Sequence, residues 1–313
     1  MATSNRHSIL ALSIALLVIL GSGAEPVLAD EQVIVVLRSK PNGPYDLVLE
    51  GFRSTLESRG IPARYDIHTV ENDIGLVDRI LEDAAAKGAD LIFTIGSNVT
   101  ERASRRDHDI PVIYSLVMDT VGMNPNGCTG VILEFSIDAH FEWMERFLPK
   151  ARRIGVLYNP EKNGRRIEAA KARAARTGLL LEAEEVDKPQ DIPAALDRIA
   201  KKVDVLWGIP DEIVLNPQTA KQLLLFCYRN KIPFIGPSKA WVKAGALYAL
   251  DRDYADIGAQ CADIAAGVLR GQETRNIEHE TPKKISYFIN MNTVRHMKLN
   301  ISKQLLARAD GVY

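Results

Sequence analysis

Residues 33–43 read VIVVLRSKPNG, and residues 154–164 read IGVLYNPEKNG. Each is an apolar run that breaks into a polar loop holding a proline and ending in Asn-Gly. The echo continues downstream. ADLIFTIG at 89–96 returns as VDVLWGIP at 203–210, and DIPVIYS at 109–115 returns as KIPFIGP at 231–237. Runs this continuously apolar suit strands buried on both faces of a parallel sheet. Helical apolar stripes separate them, as at 46–59 and 165–177. Strands alternating with helices argue for βαβ units. The chain therefore reads as two similar α/β lobes. Open α/β sheets bind ligands at the carboxyl ends of their strands, so two lobes imply a cleft between those ends.

A length of 313 residues fits two domains. Formal net charge is −1, with 46% hydrophobic and 25% charged residues, which is ordinary for a globular protein. That balance lacks the basic surplus of a nucleic-acid binder. The first 29 residues stand apart: Arg6 and His7 precede an apolar run at 9–20, and Val27-Leu28-Ala29 follows. This is the pattern of a secretory signal peptide cut after Ala29, and the run is too short to span a bilayer. The expectation is an exported protein in the periplasm.

In the mature chain, residues 118–130 are rich in Gly, Pro and Asn and read as the first crossover between lobes. Residues 251–254 and 280–284 read as the second and third. The N-terminal lobe is then 30–120 plus 254–281, and the C-terminal lobe 128–250 plus 285–313. Each would be Rossmann-like.

Catalytic motifs are missing. The sequence holds no GxxxxGK loop, no GxGxxG after either first strand, no GxSxG elbow and no HExxH. Its histidines are dispersed. Cys128, Cys227 and Cys261 match no zinc spacing, and no cofactor is expected. Ser39-Lys40 and Ser238-Lys239 lie in expected cleft loops, where ligand contact is a better role than a Ser–Lys dyad. What the strand ends do offer is small, amide, acidic and aromatic side chains. In the first lobe these are Ser39, Asn42, Tyr45, Ser97, Asn98, Met118 and Asp119. In the second they are Asn159, Asn163, Asp211, Ser238 and Trp241. Such groups hydrogen-bond and stack on a small molecule. Helix starts at Ser97 and near Asn163 favour an anionic group. Asp119 or Asp211 would suit an ammonium, and Trp241 or Tyr45 an apolar part. Capping or turn duty is the competing role for Asn159 and Ser97.

RIGVLYNPEKNG (153–164), IPVIYSLVMDTVG (110–122), VKAGALYALDRDYADIG (242–258), ETPKK (280–284) and LARADGVY (306–313) resemble the exported substrate-binding components of ABC transporters. The nearest subgroup includes tryptophan/tyrosine-type binding proteins. The resemblance implies a type I periplasmic-binding-protein fold, with two lobes joined by three crossovers and closing on a hinge. It implies a monomer that captures an amino-acid-like solute and delivers it to an ABC permease and ATPase, or to a membrane sensor. Three segments depart from the family pattern. Pro210-Asp211-Glu212-Ile213-Val214 stands where the family commonly has D-N-T/S, Asp119-Thr120-Val121 where it has D-P-V, and the first loop lacks the usual histidine. Two alternatives use the same cleft. One is a binder of an apolar lipid- or sterol-like solute, for which Tyr45, Met118, Trp207, Ile213 and Trp241 are the supporting residues. The other is an exported α/β enzyme.

Overall fold

The computed structural model describes residues 31–313 except 42, 72, 106, 107, 119, 121, 122, 125 and 126. The expected signal peptide, Asn42 and Asp119 lie outside the described residues. The elements run β1 (Gln32–Arg38), α1 (Gly43–Ser58), β2 (Ala63–Thr69), α2 (Leu76–Ala86), β3 (Leu91–Ile95), α3 (Ser97–Ser104), β4 (Val112–Val117) and β5 (Cys128–Ile132). The second series runs α4 (Ile137–Phe147), β6 (Arg153–Tyr158), α5 (Pro160–Arg176), β7 (Leu180–Glu185), α6 (Ile192–Ile199), β8 (Val205–Trp207), α7 (Pro217–Asn230), β9 (Phe234–Ile235), α8 (Lys239–Ala244) and β10 (Tyr248–Arg252). The chain ends with α9 (Tyr254–Leu269), β11 (Ile285–Ile289), α10 (Met291–His296), α11 (Lys303–Ala307) and β12 (Gly311–Val312).

Among the described residues there are two sheets. The first has strand order β2-β1-β3-β4-β5, and the second β12-β11-β10-β9-β8-β6-β7. All pairings are parallel except β10 with β11. Every residue of β3 and β4 is buried, as expected where helices cover both faces. On one face of the first sheet, α1 and α9 pack Phe52, Leu56, Ile257 and Cys261 against Phe93, with the Phe52 and Phe93 rings stacked at 4.0 Å. On the other face, α2 and α3 bring Val77, Ile80 and Val99. The second sheet is covered likewise. Phe141 and Phe147 of α4 and Ile167 of α5 lie on one side. Leu196 of α6 and Leu223 of α7 lie on the other.

The chain passes between the sheets three times: after β5, between β10 and α9, and before β11. The first crossing differs from the sequence expectation. Residues 118–130 are not all connection, because Cys128–Ile132 forms the fifth strand of the first sheet. Gly130 hides that strand from a propensity reading and yet is required there. A Cβ at Gly130 would sit 2.0 Å from the Tyr114 carbonyl oxygen. The first crossing is therefore residues 133–136, closed by Ser136, whose hydroxyl accepts the Ala139 N–H at 3.1 Å and caps α4. The third is pinned to the first sheet, where Ile132 N–H donates to the Glu280 carbonyl at 2.9 Å.

Residues 160–164, expected as a loop, are also helical. Asn159 caps α5 and Pro160 occupies its first turn. Pro at a first helical position and Asn at an N-cap are the same residues that mark turns, and here the helix wins.

Candidate functional site

At the carboxyl edge of the first sheet, the end of β3 organises the neighbouring side chains. Gly96 has φ 114°, a backbone open to glycine, and starts α3. A Cβ there would lie 2.4 Å from Ser39 Oγ and 3.2 Å from the Tyr45 ring. Ser39, at the end of β1, and Tyr45, in the first turn of α1, thus converge on Gly96. Ser39 N–H donates to the Ile95 carbonyl at 3.0 Å. Its buried hydroxyl has no hydrogen-bond partner among the described residues. Ser97 Oγ accepts the Met118 N–H at 3.5 Å, joining the ends of β3 and β4. Asn98 and Met118 are exposed beside them. The first intrahelical bond of α3 is Thr100 N–H to the Gly96 carbonyl. The N–H groups before it have no acceptor within the helix. Five of the seven first-lobe residues named from sequence therefore share one edge, and the other two are Asn42 and Asp119.

The second-lobe residues divide. Asn159, Asn163 and Asp211 form one buried network. Asp211 Oδ2 accepts the Asn159 N–H at 2.7 Å and Asn163 Nδ2–H at 2.9 Å. Its Oδ1 accepts the Ile213 and Val214 N–H groups, each at 3.0 Å. Asn159 Nδ2 donates to the Val186 carbonyl, and its Oδ1 accepts the Lys162 N–H. The carboxylate expected to meet a ligand ammonium is thus occupied by four internal donors. It ties the β6–α5 turn to the segment after β8. Ser238 is exposed and makes no capping bond to α8. Trp241 turns back onto Phe234, with ring centroids 5.5 Å apart, and packs beside α7. Ile213 packs into the same core.

A further group of residues stands at the first and second crossings, and of its members the sequence names only Trp207, for an apolar solute. Glu134, in the first crossing, pairs with Arg166 in the second turn of α5. The Arg166 guanidinium stands 5.7 Å from the Trp207 ring centroid. His140 packs on the same indole at 5.1 Å. Arg252, at the end of β10, lies 5.0 Å over the Phe135 ring and donates from Nε to the Leu133 carbonyl at 2.5 Å. Burial, with Arg252 adding to it, pushes the Arg166 guanidinium down to about 10. Burial and the same Arg252 push His140 down to about 4, so its imidazole is neutral at neutral pH. Arg166 Nε and Trp207 Nε1 are buried donors without a partner among the described residues. A signal for Arg166 was present: it sits three residues after Asn163, beside the inward stripe of Asn163, Ile167 and Ala170.

A cavity of about 990 Å³ flanks the second and third crossings, lined in part by Leu47, Trp143, Arg252, Tyr254, Lys284 and Tyr287. None of the residues named from sequence lines it. Among the described residues no cluster of His, Cys, Asp and Glu could hold a metal, and no helix is long and apolar enough to cross a membrane.

Two sheets, parallel but for one strand pair, polar strand ends on both and three crossings of the chain define a periplasmic-binding-protein-like fold. The chain belongs to the ABC transporter substrate binding protein family, whose model matches residues 34–313. Members of that family are solute-binding proteins of the extracellular or periplasmic type that work with ABC transporters. A tyrosine-binding protein of Clostridioides difficile (strain R20291) is 24% identical over 271 residues, covering 81% of this chain and 77% of that one. The ligand-free, open structure of a substrate binding protein with adhesive properties from Clostridium difficile superposes with a TM-score of 0.73. It is 22% identical and covers 90% of this chain and 99% of that one. An ABC domain from Streptococcus pneumonia in complex with L-Trp gives a TM-score of 0.56 at 22% identity, covering 90% and 100%.

Proposed function

We propose that this protein captures an amino-acid-like solute, aromatic in character, between its two lobes and delivers it to an ABC permease and ATPase. The observation that carries this reading is the convergence of Ser39 and Tyr45 on Gly96, where Ser97 starts α3 at the carboxyl edge of the first sheet. A ring and several hydrogen-bonding groups stand together there, next to free helical N–H groups. The names of the relatives, one binding tyrosine and one holding L-Trp, support the same solute class. The lobes are residues 31–132 with 254–280, and 137–252 with 285–313. The polar start, apolar run and Val27-Leu28-Ala29 of the first 29 residues support export to the periplasm through a cleaved signal peptide. Of the residues named from sequence, Ser39, Tyr45, Ser97, Asn98 and Met118 keep a ligand-facing role. Asn159, Asn163 and Asp211 hold the second-lobe wall in shape.

The experiment is thermal unfolding of the purified mature protein against the twenty common amino acids and a panel of apolar solutes. A true ligand at 100 times its Kd stabilises the folded state by about 2.7 kcal/mol. Stabilisation by tyrosine, tryptophan or phenylalanine is the expected result. Stabilisation by a sterol or fatty acid, with no response to any amino acid, would overturn it. Mass spectrometry of co-purified solute checks the same point independently.

A further inference from the structure

The Glu134–Arg166 pair is unusual for an ion pair at a crossing of the chain. Both side chains are mostly withdrawn from water, with 25% and 14% of their surface exposed. Removing two opposite charges from water costs free energy that their mutual attraction does not always return. The pair is also incompletely satisfied: Arg166 keeps one buried N–H without an acceptor, and the adjacent Trp207 indole N–H is in the same condition. A buried donor left unmade costs about 1–3 kcal/mol. The Trp207 ring beneath Arg166, and the Phe135 ring beneath a second guanidinium, Arg252, complete the surroundings. His140 adds no charge there at neutral pH. The nearby Asp251 carboxylate accepts the Arg252 backbone N–H at 2.8 Å. The group therefore sets the Glu134 carboxylate against the Arg166 guanidinium, with a second guanidinium and spare donors on the cation side.

A molecule with a carboxylate and an ammonium on one carbon matches that arrangement. Its carboxylate would take the guanidinium fork and the indole N–H, since planar Arg recognises carboxylates bidentately. Its ammonium would take the carboxylate of Glu134. We propose that Glu134 and Arg166 are the head-group site for a zwitterionic α-amino acid, the ion pair opening to admit it. This rests on the solute-binding reading above and adds the residues that read the charged end. Glu134 lies in the first crossing and Arg166 in the second lobe, so a ligand held by both also loads the hinge.

The test uses L-tyrosine, L-tyrosinamide, which lacks the carboxylate, and 3-(4-hydroxyphenyl)propionate, which lacks the ammonium. Binding is measured by calorimetry on the mature parent, Arg166→Gln and Glu134→Gln, each checked for native circular dichroism. The parent should bind L-tyrosine at least about 30-fold more tightly than either analogue, the loss for one unpaired buried charge. Arg166→Gln should weaken L-tyrosine and the propionate but leave tyrosinamide unchanged. Glu134→Gln should weaken L-tyrosine and tyrosinamide but leave the propionate unchanged. Parent protein that binds all three alike overturns the assignment without any variant, so a misfolded variant does not shelter it. Variants that bind L-tyrosine as the parent does overturn the head-group site and leave the solute reading standing. Parent protein that binds no amino acid overturns both.

Discussion

Asp211 is the residue whose role changed most between sequence and structure. An acid after a strand of an α/β lobe reads as a ligand contact, because such positions face the cleft. In the folded chain its two oxygens instead accept four internal hydrogen bonds. Asp211→Ala should therefore unfold the protein more easily, by on the order of 3–5 kcal/mol, since it leaves several buried donors unpaired. Urea unfolding of the ligand-free protein measures this. Unchanged stability with lost amino-acid binding would return Asp211 to the ligand. His140 makes a second prediction. Its ordinary value of 6.5 is pushed down to about 4 by burial and by Arg252. The unfolded chain then takes up a proton at higher pH than the folded one. Stability should be level above pH 6.5 and decline as pH falls toward 4, a loss on the order of 2 kcal/mol after allowing for solvent screening. His140→Gln should flatten that part of a pH–stability curve. An identical curve for parent and variant would count against it.

Among the elements, the contact of α1 with α9 has the least room. A Cβ on Gly51 would lie 2.0 Å from the Ala255 carbonyl oxygen, and one on Gly258 would lie 2.0 Å from that of Val48. The helices touch backbone to backbone, each glycine seated against the other helix. Helix α9 belongs to the first lobe but is made after the chain has left it. Its Ile257, Cys261 and Ala265 complete the core around Phe52 and Phe93. Gly258→Leu should separate the helices and cost about 3 kcal/mol or more, as overpacking against immovable backbone does. A shift of less than about 0.5 kcal/mol in chemical unfolding would mean that the helices slide freely. The sequence marked α1 through its apolar stripe at 46–59. It did not mark their contact, because a small-residue crossing has no period of its own in either helix.

For the whole molecule, the three crossings allow the lobes to rotate on one another. Arg252 Nε, bonded to the Leu133 carbonyl, links the first crossing to the second. A solute touching both lobes binds the closed arrangement better and shifts the population toward it. Small-angle scattering should show a smaller radius of gyration when saturating amino-acid ligand is added. Superimposable profiles at saturation would argue against closure. The link also predicts that Arg252→Ala loosens the crossings. The variant should show a larger radius without ligand and weaker ligand binding, with the two lobes still folded.

Strand and helix identity was legible in the sequence because burial on both faces leaves continuous apolar runs, and one-sided burial leaves a helical stripe. The repeat of VIVVL at 33–37 and IGVLY at 154–158 then sufficed for two lobes. The first-lobe edge was legible as well, since Ser39, Ser97 and Met118 follow directly on strand ends. Local context hid β5, where Gly130 weakens the strand signal, and the first turn of α5, where the capping Asn159 and Pro160 also spell a turn. Only the tertiary structure decided which polar groups were spent on one another. Two of the four donors on Asp211 come from a distant segment, the Asn159 N–H 52 residues away and the Asn163 amide 48 away. Arg166 met Glu134 across the first crossing of the chain. Patterning reports which face of an element is buried, but hydrogen-bond and charge partners are set by how elements pack in space, and that information has no period in the sequence.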